Sequence, residues 1–374
     1  MRNELGRKAM TLKFLAPLGL LLATTAQAQD FDLDALIAAA KTEPPITIYD
    51  STGKIVDMAE AFTAKYGVQA TGEKVSANSQ LEMLIRESQA GNIQGDVALL
   101  TDTPAAMAQL IPTEILESWV PDDIAPDIPE GYRNPLAIST NANVWVYNTE
   151  KYTECPVQNI WQLTEPEWKG KVALIDPLTK GTYTDWFNQM ATHGGDKIAA
   201  AYETHYGKPL ETDLPSPAAA WLQALAANGP LMADGDDRIS EAVGAAGQAD
   251  PFMGLLSSAK FRDNADKGYK LGLCVGLDPW LGWTYTKLGL IAKGTDSPNA
   301  ARLFIHYVLT EEGIMPQMLD GKIPTNSTIA FPADEPSGLS AYIGDLFAYD
   351  ATTGLDDWET RQDWQDFWQM NHMR

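Results

Sequence analysis

Residues 46–54 read ITIYDSTGK, and the interpretation of this stretch decides the fold class. Ile46, Thr47, Ile48 and Tyr49 are β-branched or aromatic and favour a strand. Asp50, Ser51, Thr52 and Gly53 break the run. From Ile55 a helical period begins, with Ile55, Met58, Ala59 and Phe62 on one face. The result is a strand, a small polar turn and a helix start. In an open parallel sheet such turns lie at the carboxyl edge of the strands, where ligands bind. The free N–H groups of the first helical turn and the hydroxyls of Ser51 and Thr52 suit an anion or a neutral polyol. Taken alone, the stretch leaves two roles open: a ligand cradle, or a helix start capped by Ser51 or Thr52.

The same unit recurs on either side. Residues 68–75 form a second strand, the turn 76–79 carries Asn78 and Ser79, and a helix with Leu81, Leu84 and Ile85 follows. Residues 95–100 form a third strand that ends at Thr101, with Pro104 at the next helix start. Alternating strand and helix from 46 to 110 predicts a parallel α/β sheet. Residues 136–147 are extended and apolar around Ser139, Thr140 and Asn141, and read as a crossing between two lobes. A further strand at 172–175 leads through Gly181, Thr182 and Tyr183 into a helix from Asp185. The strand at 231–233 runs into an acidic loop, Asp234, Asp236 and Asp237 beside Arg238, and then a helix carrying Glu241. Residues 283–292 cross back. Trp358, Trp364 and Trp368 in the tail have the spacing of core packing.

Composition narrows the class. The formal charge of -23 disfavours nucleic acid and anionic membrane surfaces as partners. The N-terminus has the pattern of a cleaved secretory signal over residues 1–28. Arg2, Arg7, Lys8 and Lys13 precede an apolar run, and Ala26-Gln27-Ala28 forms an A-x-A site. A periplasmic location follows. Two cysteines, Cys155 and Cys274, predict one disulfide in an oxidising compartment, with two free buried thiols as the alternative. The four histidines are scattered, so no zinc or copper motif exists. There is no G-x-S-x-G and no nucleophile with a neighbouring histidine. Neither an enzyme nor a resident cofactor is expected.

Tyr147-Asn148-Thr149, Trp161, the run Glu167 to Val172 and Asp176-Pro177 carry a resemblance. The chain resembles the periplasmic solute-binding proteins of ABC transporters with type II topology, in the branch for ferric iron, sugar phosphates and phosphonates. The resemblance implies two α/β lobes joined by two crossover strands, a ligand cleft between them, and docking of a monomer on an inner-membrane permease. The expected division is residues 29–138 with 286–374 in the first lobe and 139–285 in the second. Iron-binding members use an adjacent pair of tyrosines late in the second lobe, whereas this chain has Trp280-Leu281-Gly282-Trp283-Thr284-Tyr285 there. The expected ligand is therefore a small phosphorylated solute, with ferric iron as the alternative. Hydroxyls, amides and glycine at Ser51, Thr52, Gly53, Asn78, Ser79, Thr101, Asn141, Gly181, Thr182 and Tyr183 would serve the phosphate. Asp234, Asp236, Asp237 and Glu241 would take hydroxyls or an amine. Trp280 and Trp283 are candidates to stack on a sugar face.

Overall fold

The computed structural model describes residues 31–372. The leader read over residues 1–28 lies outside them. The fold is a two-lobed α/β arrangement built on one long, curled sheet. In the first lobe the strands Ala70–Lys74, Ile46–Asp50 and Val97–Leu100 lie side by side and parallel, with Ile48 opposite Gly72 on one neighbour and Val97 on the other. In the second lobe Met253–Ser257, Val172–Ile175 and Leu231–Ala233 repeat the arrangement. Strands of this kind are buried on both faces, and Val97–Leu100 and Val172–Ile175 are buried throughout.

Between these groups run two long antiparallel strands, Ala137–Asn148 and Gly282–Ala292. Leu288 to Ile291 pair with Val97–Leu100, and Asn143 to Val146 pair with Met253–Ser257. The two strands thus join the halves as part of the sheet itself. Gly282 is required here, because a Cβ would meet the carbonyl oxygen of Asn143 at 2.1 Å.

Each half has its own core. Ile48, Phe62, Phe304 and Tyr307 anchor the first, with Phe62 edge-on to Phe304 at 5.2 Å. Trp145, Trp186, Trp221 and Trp283 anchor the second, where Trp186 stacks on Trp283 at 5.2 Å. The tail does not stay with the first half as chain order suggests. Leu339, Leu346, Phe347 and Trp368 complete the second core, and the C-terminal helix Gly354–His372 lays Trp364 and Trp368 on Phe187. The reason is composition: the open side of Phe187 needs an aromatic cover, and the tail supplies it. Asn188 and Gln189 fix the seat by donating to Asp357 at 2.8 Å each.

Cys155 and Cys274 are joined, with Cα atoms 5.0 Å apart and a sequence separation of 119. Closing a loop of this length restricts the unfolded chain by about 4–5 kcal/mol in the chain-entropy description.

Candidate functional site

A cleft of about 360 Å³ opens between the lobes, against the paired crossing strands. Three strand-to-helix turns feed it. The helix Lys54–Tyr66 starts at Gly53, the helix Gly181–His193 at Lys180 and the helix Asp236–Gly244 at Gly235. None of the three has a side-chain cap. Apart from the Lys54 N–H, which donates to Thr52 Oγ1 at 3.4 Å, their first-turn N–H groups are unclaimed by local side chains, and Ser51, Thr52, Gly53, Lys180 and Asp236 line the cleft. The fourth turn behaves differently: Ser76 caps its own helix by accepting from the Ser79 N–H.

The crossing strands form the floor. On strands, side chains two residues apart share a face, and Tyr285 and Lys287 both point into the cleft opposite Asn141. Asn141 is buried, and its side-chain Nδ2 has no hydrogen-bond partner in the protein. A buried donor without a partner costs about 1–3 kcal/mol. A ligand oxygen would satisfy it.

Six cations line the cleft: Lys74, Lys180, Lys260, Arg262, Lys287 and Lys322. Three have carboxylate partners. Lys287 Nζ donates to Asp50 Oδ1 at 2.6 Å with both side chains fully buried, and Gln317 donates to the other oxygen of Asp50. Lys260 pairs with Asp237 at 2.5 Å, and Arg262 with Asp320 at 2.6 Å. Lys74, Lys180 and Lys322 have no carboxylate within 4.0 Å among the described residues. Lys180 sits over the rings of Tyr183 and Tyr285, at 5.9 and 5.8 Å. Burial works against its charge, but Asp236 and Tyr285 outweigh it and hold the ammonium above its ordinary pKa. Lys322 goes the other way: burial and the Lys287 ammonium push it down to about 8. Burial raises the Tyr285 phenol against the pull of Lys180.

The residues singled out from the sequence divide clearly. Ser51, Thr52, Gly53, Thr101, Asn141 and Asp236 come together in the cleft. Asn78 and Gly181 lie in a neighbouring groove beside Asp102 and Arg361. Ser79, Asp234 and Glu241 are exposed and outside the cleft lining. Asp237 is turned to Lys260 and Lys267. Thr182 and Tyr183 are buried, because the helix begins at Gly181 rather than at Asp185 and carries them inward. There the Tyr183 hydroxyl donates to the Leu255 carbonyl at 3.3 Å. Trp283 is core, stacked on Trp186, and Trp280 packs edge-on to Phe347. The cleft cations escaped the sequence reading altogether.

One cation outside the cleft joins the halves. Arg361, on the C-terminal helix, makes paired hydrogen bonds to Asp102 of the first lobe at 2.6 and 3.2 Å and to Asp185 of the second at 2.8 and 2.8 Å. Burial pushes the Asp185 carboxyl up to about 8; Arg361 opposes this, and Asp102 and Asp357 add to it.

The described residues contain no group of three or more His, Cys, Asp and Glu able to hold a metal ion. Comparison with known proteins agrees with the architecture. The family model "Bacterial extracellular solute-binding protein" matches residues 46–315. No curated protein matches the chain. Among solved structures, iron-bound HitA from Pseudomonas aeruginosa superposes with a TM-score of 0.64 at 17% identity, covering 87% of this chain and 99% of that one. The Trichodesmium protein (IdiA, FutA) in complex with iron and citrate gives 0.62 at 18%, covering 88% and 100%. The substrate-binding protein of an ABC transporter from Agrobacterium tumefaciens gives 0.65 at 14%, covering 90% and 96%. At these identities the likeness speaks for the fold.

Proposed function

The chain belongs to the bacterial extracellular solute-binding proteins, the ligand-capturing components of ABC importers, and from that premise we propose that its cleft takes a small, multiply charged phosphorylated solute, a sugar phosphate or a phosphonate. The observation that carries this reading is the set of cleft lysines without carboxylate partners, Lys74, Lys180 and Lys322, in a chain whose net charge is -23. Lys322 is buried and Lys180 half-buried; an ammonium so withdrawn from water without a carboxylate costs several kcal/mol, which an anionic ligand recovers, and the exposed Lys74 adds longer-range attraction. The uncapped helix starts at Gly53 and Lys180 and the Asn141 amide add directed donors. Asp236 Oδ1 accepts from the Ser257 N–H at 3.0 Å, which leaves its other oxygen to accept from a hydroxyl or an amine at the ligand's other end.

The mechanism is cleft closure. The donors lie on both lobes, so a bridging ligand stabilises the closed arrangement, which a membrane permease then recognises. We place the protein in the periplasm, working as a monomer. The lobe division we propose runs along the sheet, with residues 31–138 and 286–338 in the first lobe, 139–285 in the second, and the tail seated on the second.

Ferric iron is the second reading, favoured by the iron in the names of the HitA and Trichodesmium relatives and by the phenol of Tyr285 in the cleft. Bare Fe³⁺ needs several hard anionic oxygens. The two cleft carboxylates are Asp236 and Asp320, and Asp320 is held by Arg262. Iron would fit here as a negatively charged chelate. A thermal-shift series distinguishes the two readings. Glycerol 3-phosphate and simple phosphonates should raise Tm with increasing concentration, by the equivalent of about 2.7 kcal/mol at a hundredfold excess over Kd. A shift with ferric citrate alone, with a visible phenolate-to-iron band, reverses the assignment.

A further inference from the structure

Lys322 and Asp320 stand two residues apart, yet their side chains do not pair. The Asp320 carboxylate reaches across the cleft to Arg262 at 2.6 Å, and Lys322 Nζ donates instead to the Asp320 main-chain oxygen at 3.1 Å. Gly321 between them makes the separation possible. Its φ of +75° lies in the left-handed region, and a Cβ would meet Ser258 Oγ at 2.6 Å. Ser258 belongs to the second lobe, in the same short turn as Arg262, and its hydroxyl donates to the Gly321 carbonyl at 3.2 Å. The second lobe therefore holds both the backbone and the carboxylate of this corner.

We infer that Arg262 is a positioning residue that sets ligand affinity: by drawing Asp320 across the cleft, it keeps that carboxylate off Lys322 and leaves the ammonium free for the ligand. Freed of Arg262, the Asp320 carboxylate would turn to Lys322, two residues along the chain, and the anion would meet a cation already compensated. The exchange of Arg262 for Lys322 as the partner of Asp320 therefore sets the charge that the ligand meets. The surroundings agree. The charged groups acting on the Lys322 ammonium are Lys287 and Arg262, which disfavour its proton, and Asp320 and Asp50, which favour it.

The inference rests on the proposed anionic ligand, but one arm of its test does not. Reductive ¹³C-methylation followed by NMR titration reads Lys322 directly in the ligand-free protein, with Lys322→Arg as the assignment control. In the wild type its amine should titrate well below the ordinary lysine value. Arg262→Gln should move it up by about one unit or more, and adding Asp320→Asn should bring it back. Asp320→Asn alone should move it further down, because the carboxylate, even held by Arg262, still favours the Lys322 proton. The binding arm uses calorimetry with glycerol 3-phosphate. Arg262→Gln should weaken binding tenfold or more, and the double variant Arg262→Gln/Asp320→Asn should recover most of that loss. A double variant as weak as Arg262→Gln, or a Lys322 titration indifferent to Arg262→Gln, overturns the exchange. If no phosphate or phosphonate binds the wild type, the ligand reading fails, and the titration still decides the exchange.

Discussion

Two arginines tie the lobes together, and they do so differently. Arg361 is 14% exposed, lies beside the cleft and grips two carboxylates, one on each lobe. Arg262 is 40% exposed, lines the cleft and grips one. A buried guanidinium saturated by two bidentate partners is a structural fixture, since removing it strands the Asp102 carboxylate and takes both donors from the buried Asp185. A half-exposed one with a single partner lets go at little cost. The molecule therefore has a firm join on the Asp102 side and a releasable one on the Asp320 side, so opening should begin at the latter.

The contrast can be broken most forcefully at the firm join. Arg361→Ala should cost about 3–5 kcal/mol in urea unfolding, the usual loss when a buried ion pair is split. Arg361→Lys should restore little of it, because an ammonium cannot form the paired bonds to both carboxylates. Arg262→Gln should cost under about 1 kcal/mol in the same assay, its loss showing in affinity instead. An equal stability loss in the two variants would erase the distinction.

Binding sharpens it next. Lys180→Met removes an unpaired cleft cation and should weaken glycerol 3-phosphate binding by about 2 kcal/mol or more, roughly thirtyfold, in calorimetry. Asp234→Asn, exposed and outside the cleft, should leave it unchanged.

The two joins also respond to pH with different signs. Lys322 has its folded pKa lowered to about 8 from 10.5, so between these values the folded chain has lost a proton that the unfolded chain keeps. This group's contribution to ligand-free stability rises across that window, while the attraction for an anion falls. The ligand-induced Tm shift should therefore shrink between pH 7 and 9. Asp185 has its folded pKa raised from 3.8 to about 8, so the stability it contributes is present below that window and fades as pH rises through it. Asp185→Asn should flatten that slope in a Tm series from pH 5 to 8. The smallest effect belongs to the exposed Lys65–Glu312 pair, where Glu312→Gln should stay within about 0.5 kcal/mol of wild type.

Much of this architecture was legible from local pattern. ITIYDSTGK gives strand, turn and helix in place, and the apolar runs at 136–147 and 283–292 become the paired crossing strands. Where tertiary convergence decides, the sequence was silent. Lys74, Lys180, Lys260, Arg262, Lys287 and Lys322 are spread along nearly 250 residues of an acidic chain, and no spacing marks them as one group. Lys287 did carry a signal. A lysine inside WTYTKLGLIA, on the same strand face as Tyr285, is a charge placed in an apolar strand, and such a charge needs a partner. The turn at Gly181 misled because Thr182 and Tyr183 look like loop residues until the helix is seen to include them. The tail's seat did not follow from chain order. Its Trp spacing announced core packing, but not which core.

That tail has a bearing on how the protein folds. Leu339, Leu346, Phe347 and Trp368 follow the rest of the second core in the sequence, and they finish a core begun near Ala142. The second lobe cannot complete its core until the tail has docked. Until then the face of Phe187 that Trp364 and Trp368 cover stays open to water.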